Sequence, residues 1–153
     1  MFVPVFGLQV DSTKCFQGST LVIPCTSVGM TAHIATDIFV LNENATRLGF
    51  YDSDFVNAAI VNDGLTLAGQ PTGQISMPAE FWQSADRKTT ILSMKTSVTE
   101  MRGFSDELIA FTKQHGFANV VILTSTMSPV GRSRSSNRQL PELFGYINNF
   151  HYK

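Results

Sequence analysis

The order of hydrophobic and polar positions divides the chain into short, well-punctuated elements. Thr20–Ile23 is a brief apolar run rich in β-formers, closed by Pro24, which cannot donate to a central ladder. After Gly29 the apolar positions Ala32, Ile34, Ala35, Ile38, Phe39 and Leu41 return at helical spacing, and Thr46–Tyr51 reads as a second strand. The stretch from Asp54 to Gly64 fits helix and extended loop equally and ends on an Asp-Gly turn signal. Gln74–Trp82 and Thr89–Thr96 flank the polar turn QSADRK and predict a hairpin, with Pro78 placing its first strand at a sheet edge.

The next helix reads from an N-cap at Ser105, with Asp106 and Glu107 in its first turn, through Leu108, Ile109 and Phe111 to a C′ residue at Gly116. Ala118–Thr126 follows at once, and its Val-Val-Ile-Leu run suits a strand buried on both faces of a parallel sheet. Strand–helix–strand early and helix–strand late predict one α/β domain over residues 1–153. The expected architecture is three-layered: a mostly parallel sheet flanked by helices, with an antiparallel hairpin added. Residues 127–140 read as a basic flexible loop, and the chain shows no internal repeat.

Composition changes this picture modestly. The 153 residues are 43% hydrophobic and 15% charged, against about 25% charged in an average globular domain. Low charge and twelve phenylalanines fit either an aromatic core or a surface that expects a partner. The net charge of −1 neither invites nor excludes nucleic acid, although residues 1–100 carry nine acids to five bases and residues 101–153 three to six. Cys15 and Cys25 make no disulfide framework, and no basic segment precedes a long apolar run at the start. No apolar stretch reaches the roughly 18 residues of a membrane span. The expectation is an intracellular protein with reduced thiols, in which the sequon Asn44-Ala45-Thr46 goes unglycosylated.

The chemistry-bearing residues form no strong constellation. Ser27, Val28, Gly29 and Met30 lie where a strand turns into a helix, a place where backbone amides hold phosphate. The turn lacks the spaced glycines of a dinucleotide fingerprint and the Gly-Lys-Ser/Thr of a P-loop, so the bend itself is the favoured role. His33 with Asp37 has the i, i+4 spacing of a base and its orienting carboxylate, and equally of a helix-surface pair. His115 suits a cation at a helix C-terminus. Cys25 reads as a small buried thiol rather than a nucleophile, and Cys15, Cys25 and the three histidines lack zinc spacing. Arg132, Arg134 and Arg138 sit among serines without interleaved aromatics, which favours a solvated loop over an RNA site.

One ordered set of motifs has a family counterpart. The opening MFVP, the pattern from Phe16 through Leu21-Val22-Ile23-Pro24 to Ser27-Val28-Gly29, and His33–Ile38 (HIATDI) together resemble the proteasome assembly chaperone 2 family. Arg47–Tyr51, Asp86–Ser97 and Gly116–Thr126 extend the resemblance in the same order along nearly the whole chain. The resemblance implies an enzyme-like α/β core that acts as a binding protein, with no catalytic residues, cofactor, ATP or metal. It implies a heterodimer with proteasome assembly chaperone 1 that binds α subunits of the core particle and supports α-ring formation. It also implies a cytoplasmic and nuclear location, with no nucleic-acid or membrane partner.

The family continues beyond the region matching Glu142–Asn149, so the resemblance implies a fold lacking C-terminal elements. Related factors dock a hydrophobic–tyrosine–any-residue tail between α subunits. Phe150, Tyr152 and Lys153 approximate that tail, with His151 where an aliphatic residue is expected. The competing reading is a phosphate- or nucleotide-binding enzyme that uses the Ser27–Gly29 turn.

Overall fold

The computed structural model describes residues 1–5, 7, 11, 14–25, 27–62 and 75–125. Six strands form one sheet: β1 (Phe2–Pro4), β2 (Thr20–Pro24), β3 (Thr46–Tyr51), β6 (Ala79–Gln83), β7 (Thr89–Met94) and β8 (Asn119–Leu123). Two helices, α1 (Thr31–Asn42) and α2 (Met101–Gln114), accompany it, and β4 (Val61–Asn62) pairs with β5 (Ile75–Ser76) apart from the main sheet.

The sheet order is β1-β3-β6-β7-β2-β8. β2 runs parallel to both β7 and β8, whereas β7–β6, β6–β3 and β3–β1 are antiparallel. The expected α/β class, with parallel strands and an antiparallel hairpin, is present. The antiparallel part extends further than one hairpin. The β6–β7 hairpin lies between β2 and β3, so β3 returning from α1 meets β6 instead of β2, and β1 adds beyond it.

Strand alternation assigns the two faces. Leu21, Ile23, Ala79, Phe81, Leu92 and Met94 point to one face, where Phe104 and Phe111 of α2 join them in the core. Ile91 and Ser93 point to the other, where α1 packs on β2 and β7 through buried Ala32, Thr36 and Val40. The phenylalanines belong mainly to the first face. Phe16 and Phe81 lie 5.0 Å apart between ring centroids, and Phe81 stacks on Phe111 at 5.3 Å. Such pairs add roughly 0.5–1.5 kcal/mol each beyond area burial. Tyr51 packs into the same cluster, and burial, with the Glu107 carboxylate beside it, pushes its hydroxyl pKa up.

Three local expectations are corrected. Pro78 stands just outside β6, which is a central strand between β3 and β7. Its carbonyl still accepts from the Lys95 amide at 2.7 Å. α2 begins four residues before Ser105: Glu100 caps it, accepting from the Arg102 and Gly103 amides at 2.8 and 2.6 Å. Ser105 sits inside the helix and donates to the Met101 carbonyl at 2.7 Å. Gly116 does lie past the C-cap His115 with φ 66°, a conformation that glycine adopts without strain. β8 is parallel to β2 as expected, yet among the described residues it is the last strand of the sheet instead of lying inside it, and Asn119–Ile122 are exposed.

One buried ionic cluster fixes β3, β6 and the β5 region together. Glu80 is fully buried, and its carboxylate accepts from Arg47 Nη1 at 3.3 Å, the Met77 amide at 2.8 Å and Trp82 Nε1 at 3.2 Å. Arg47 also donates to the Ile75 carbonyl at 3.3 Å and lies over the Phe50 and Trp82 rings.

Candidate docking surface

The strand-to-helix turn is the first place to look for chemistry. Val28–Met30 form a single 3-10 turn in which Gly29 takes φ 64° and Met30 takes φ 55°. The amides that an anion would need already have acceptors. Val28 N donates to the Ser125 carbonyl (3.4 Å), Met30 N to the Ser27 carbonyl (3.1 Å), and Thr31 N to the Val28 carbonyl. Ala32 N donates to the Ser27 side-chain oxygen at 3.0 Å. Ser27 therefore caps the helix from five residues away, and the turn is architecture, with one amide, Gly29, outside this set of bonds.

The titratable candidates form no catalytic set. Asp37 pairs with Lys95 Nζ at 2.7 Å across to the end of β7, so it orients no base. His33 is half-buried with Nδ1 enclosed and unbonded. His115 is packed between Phe16 and Phe111, its ring centroid 4.3 Å from that of Phe111. Cys15 and Cys25 are free thiols, and burial pushes Cys15 up to about 11, away from reactivity. Among the described residues no group of three or more His, Cys, Asp or Glu is placed to hold a metal. No described helix is long and apolar enough to cross a membrane. Arg132, Arg134, Arg138, Phe150, His151, Tyr152 and Lys153 lie outside the described residues.

Exposed aliphatic side chains remain in two places, on the outer side of α1 and along β8. α1 is apolar on both sides: Ala32, Thr36 and Val40 face the sheet, and Ile34 and Ile38 stand outward at 53% and 52% exposure. Met30, just before the helix, is 62% exposed and in a left-handed conformation uncommon for a residue with a side chain. Ser125 Oγ donates to the Val28 carbonyl at 3.1 Å, which sets this turn against the end of β8. On β8, Val120, Val121 and Ile122 are exposed, Ile122 at 64%.

Sequence reasoning saw the helix and the strand but not these exposed side chains. The available signal was that α1 carries apolar residues at 34 and 38 as well as at 32 and 40, where one buried face needs only one such series.

No family model matches the chain. Curated relatives named Proteasome assembly chaperone 2 do match. The Danio rerio protein is 27% identical over 117 residues, covering 75% of this chain and 45% of its own length. The Bos taurus protein is 27% identical and the Homo sapiens protein 25%, each over 130 residues, with 84% of this chain and 48% of the relative covered. The chain thus spans about half the length of the curated relatives it matches. Among solved structures, a protein of unknown function from Thermoplasma acidophilum superposes with a TM-score of 0.58 at 14% identity, covering 72% of this chain and 43% of that one. That likeness concerns the fold.

Proposed function

We propose that this chain, a relative of the proteasome assembly chaperone 2 proteins, promotes assembly of the proteasome core particle as a binding protein. The observation that carries the reading is the alignment to relatives of that name across three quarters or more of the chain. In the finer form of the proposal it pairs with proteasome assembly chaperone 1, and the heterodimer binds α subunits and supports α-ring formation in the cytoplasm and nucleus. The physical features agree with such work. In the turn that an enzyme of this fold would use for an anion, every amide from Val28 to Ala32 except that of Gly29 already has an acceptor, and aliphatic side chains on α1 and β8 are exposed. Obligate interfaces are typically large and hydrophobic.

Co-expression with an N-terminally tagged form of the chain tests this reading. Near-stoichiometric recovery of proteasome assembly chaperone 1 and of α subunits is expected. Recovery of neither by soluble, folded protein would overturn it.

A further inference from the structure

We propose that residues 53–57 are a latch on α2: this segment and the first turn of the helix form one cooperative unit that opens and closes together while the sheet stays folded. The device is independent of the partner reading above.

After β3 the chain leaves the sheet and crosses to the connection between β7 and α2. There it makes a small antiparallel ladder centred on Val56 and Val98. Thr99 N donates to the Phe55 carbonyl at 2.8 Å, and Asn57 N donates to the Ser97 carbonyl at 3.2 Å. Side chains repeat the pairing. Thr96 Oγ1 donates to the Asn57 carbonyl (2.9 Å), Thr99 Oγ1 to the Phe55 carbonyl (3.1 Å) and Asn57 Nδ2 to Ser97 Oγ (2.8 Å). Every residue in these bonds is half-buried or exposed, and none belongs to a strand of the six-stranded sheet. Elements held by few, solvent-exposed hydrogen bonds are the ones that open locally, at less than the cost of global unfolding.

The same segment holds the start of α2. Thr99, whose amide and hydroxyl both go to Phe55, immediately precedes the N-cap Glu100. The Phe55 ring and the Glu100 carboxylate close over Gly103 together: a Cβ there would stand 2.5 Å from each. One turn further on, Ser53 Oγ donates to Glu107 Oε2 at 2.5 Å and accepts from the Phe55 amide at 3.2 Å. The contacts at Thr99, Gly103 and Glu107 fall four residues apart, on one side of the helix start. Lifting the segment takes the ring from Gly103 and the anchor from Thr99, so the capping carboxylate loses the neighbours before and beside it in one step. Opening also frees Phe55, Val56 and Val98, three partly buried side chains now packed on the core. The latch thus governs how much apolar surface this part of the molecule presents.

Residue-resolved hydrogen–deuterium exchange on the 153-residue chain reads the latch directly. The Asn57, Thr99, Arg102 and Gly103 amides should share one protection factor, at least about tenfold below that of the slowest amides in β6 and β7. Gly103→Ala separates the latch from plain helix stability. Alanine is the better helix former, so a first turn acting alone would exchange more slowly. With the latch, Asn57 and Thr99 should exchange about tenfold faster, because the new Cβ drives the Phe55 ring away. A second variant locks the segment down. Val56 and Val98 form the non-hydrogen-bonded kind of antiparallel pair, with Cα atoms about 4.5 Å apart, a separation that a disulfide spans. In Val56→Cys/Val98→Cys, with Cys15 and Cys25 replaced by alanine, oxidation should slow Arg102 and Gly103 about tenfold or more relative to the reduced form. The Val5 amide at the β1 edge should stay within about twofold. Oxidation that protects Asn57 and Thr99 but leaves Arg102 and Gly103 unchanged would overturn the proposal. So would one common protection factor for these four amides and the slowest of β6 and β7.

Discussion

The Arg47–Glu80 pair allows the sharpest stability test. Glu80 has no exposed side-chain surface and Arg47 has 18%, so the two charges meet largely out of water. Arg47→Met keeps most of the alkyl packing against Phe50 and Trp82 but leaves the carboxylate with two neutral donors, the Met77 amide and Trp82 Nε1. Breaking a buried pair from one side costs about 3–5 kcal/mol. The remaining donors and the partial exposure of Arg47 place the expected loss at the low end, about 3 kcal/mol. At roughly 2–4 °C per kcal/mol for a chain of this size, the melting point should fall by about 6–12 °C.

Glu80→Gln removes the charge but turns one amide group toward a donor, for a loss of about 2 kcal/mol. The double variant Arg47→Met/Glu80→Gln should lose at least about 1.5 kcal/mol less than the sum of the two, because neither change then strands a charge. Urea unfolding read by fluorescence measures all three, since Trp82 is the sole tryptophan and bonds directly to Glu80. Far-UV circular dichroism on the same samples checks that both probes report one transition. A loss below about 1 kcal/mol for Arg47→Met, with additivity within about 0.5 kcal/mol, would refute the reasoning.

Other outcomes follow from single contacts. Glu100→Ala should cost about 1 kcal/mol through loss of the α2 cap, whereas Ser105→Ala should stay within about 0.5 kcal/mol, both measured by urea unfolding. In Gly49→Ala the new Cβ would fall on the Val3 carbonyl oxygen and within 2.5 Å of the Phe2 ring. β1 must then leave β3, and the Val5 amide, which donates to the Leu48 carbonyl, should lose its exchange protection. Cys15 should react with a disulfide reagent at pH 8 more slowly than an unfolded-chain control, because its folded value near 11 lies above the ordinary 9.0. The same raised value makes its stabilising contribution complete below pH 9 and lost as pH rises through 11. Cys15→Ala should therefore flatten the alkaline fall in stability relative to the parent chain.

What the sequence disclosed depended on how local its cause was. β3, α1 and the β6–β7 hairpin follow from periodicity and turn chemistry within a dozen residues; β3 and α1 lie where the pattern places them, whereas the expected first hairpin strand Gln74–Trp82 divides into β5, paired with β4, and β6 from Ala79. The start of α2 did not, because glutamate is not a favoured N-cap type and Ser105-Asp106-Glu107 offered a more familiar signal. Gly103 is the residue that decides the matter. Glu100 and the Phe55 ring both come within 2.6 Å of where its Cβ would stand, so glycine lets the capping carboxylate and the ring close over the first turn. β1 escaped notice because three residues ending in proline make no period. Whether β8 lies inside the sheet or at its edge depends on strand order, a non-local property that its own apolar run does not contain.

The turn between β2 and α1 shows why fold and chemistry part company here. A strand-to-helix turn binds anions when its first amides are left free to point at a ligand. In this chain Ser27 takes the Met30 and Ala32 donors, and Ser125 takes that of Val28 while giving its own hydroxyl to the Val28 carbonyl. Those bonds close the turn against the end of β8 and leave Met30, in its left-handed conformation, 62% exposed. Hydrogen bonds that occupy anion-binding donors are thus the same ones that tie the start of α1 to the segment after β8. A turn rebuilt to hold phosphate would have to release the Val28 amide from Ser125, and with it one of the ties that hold α1 to the end of the sheet.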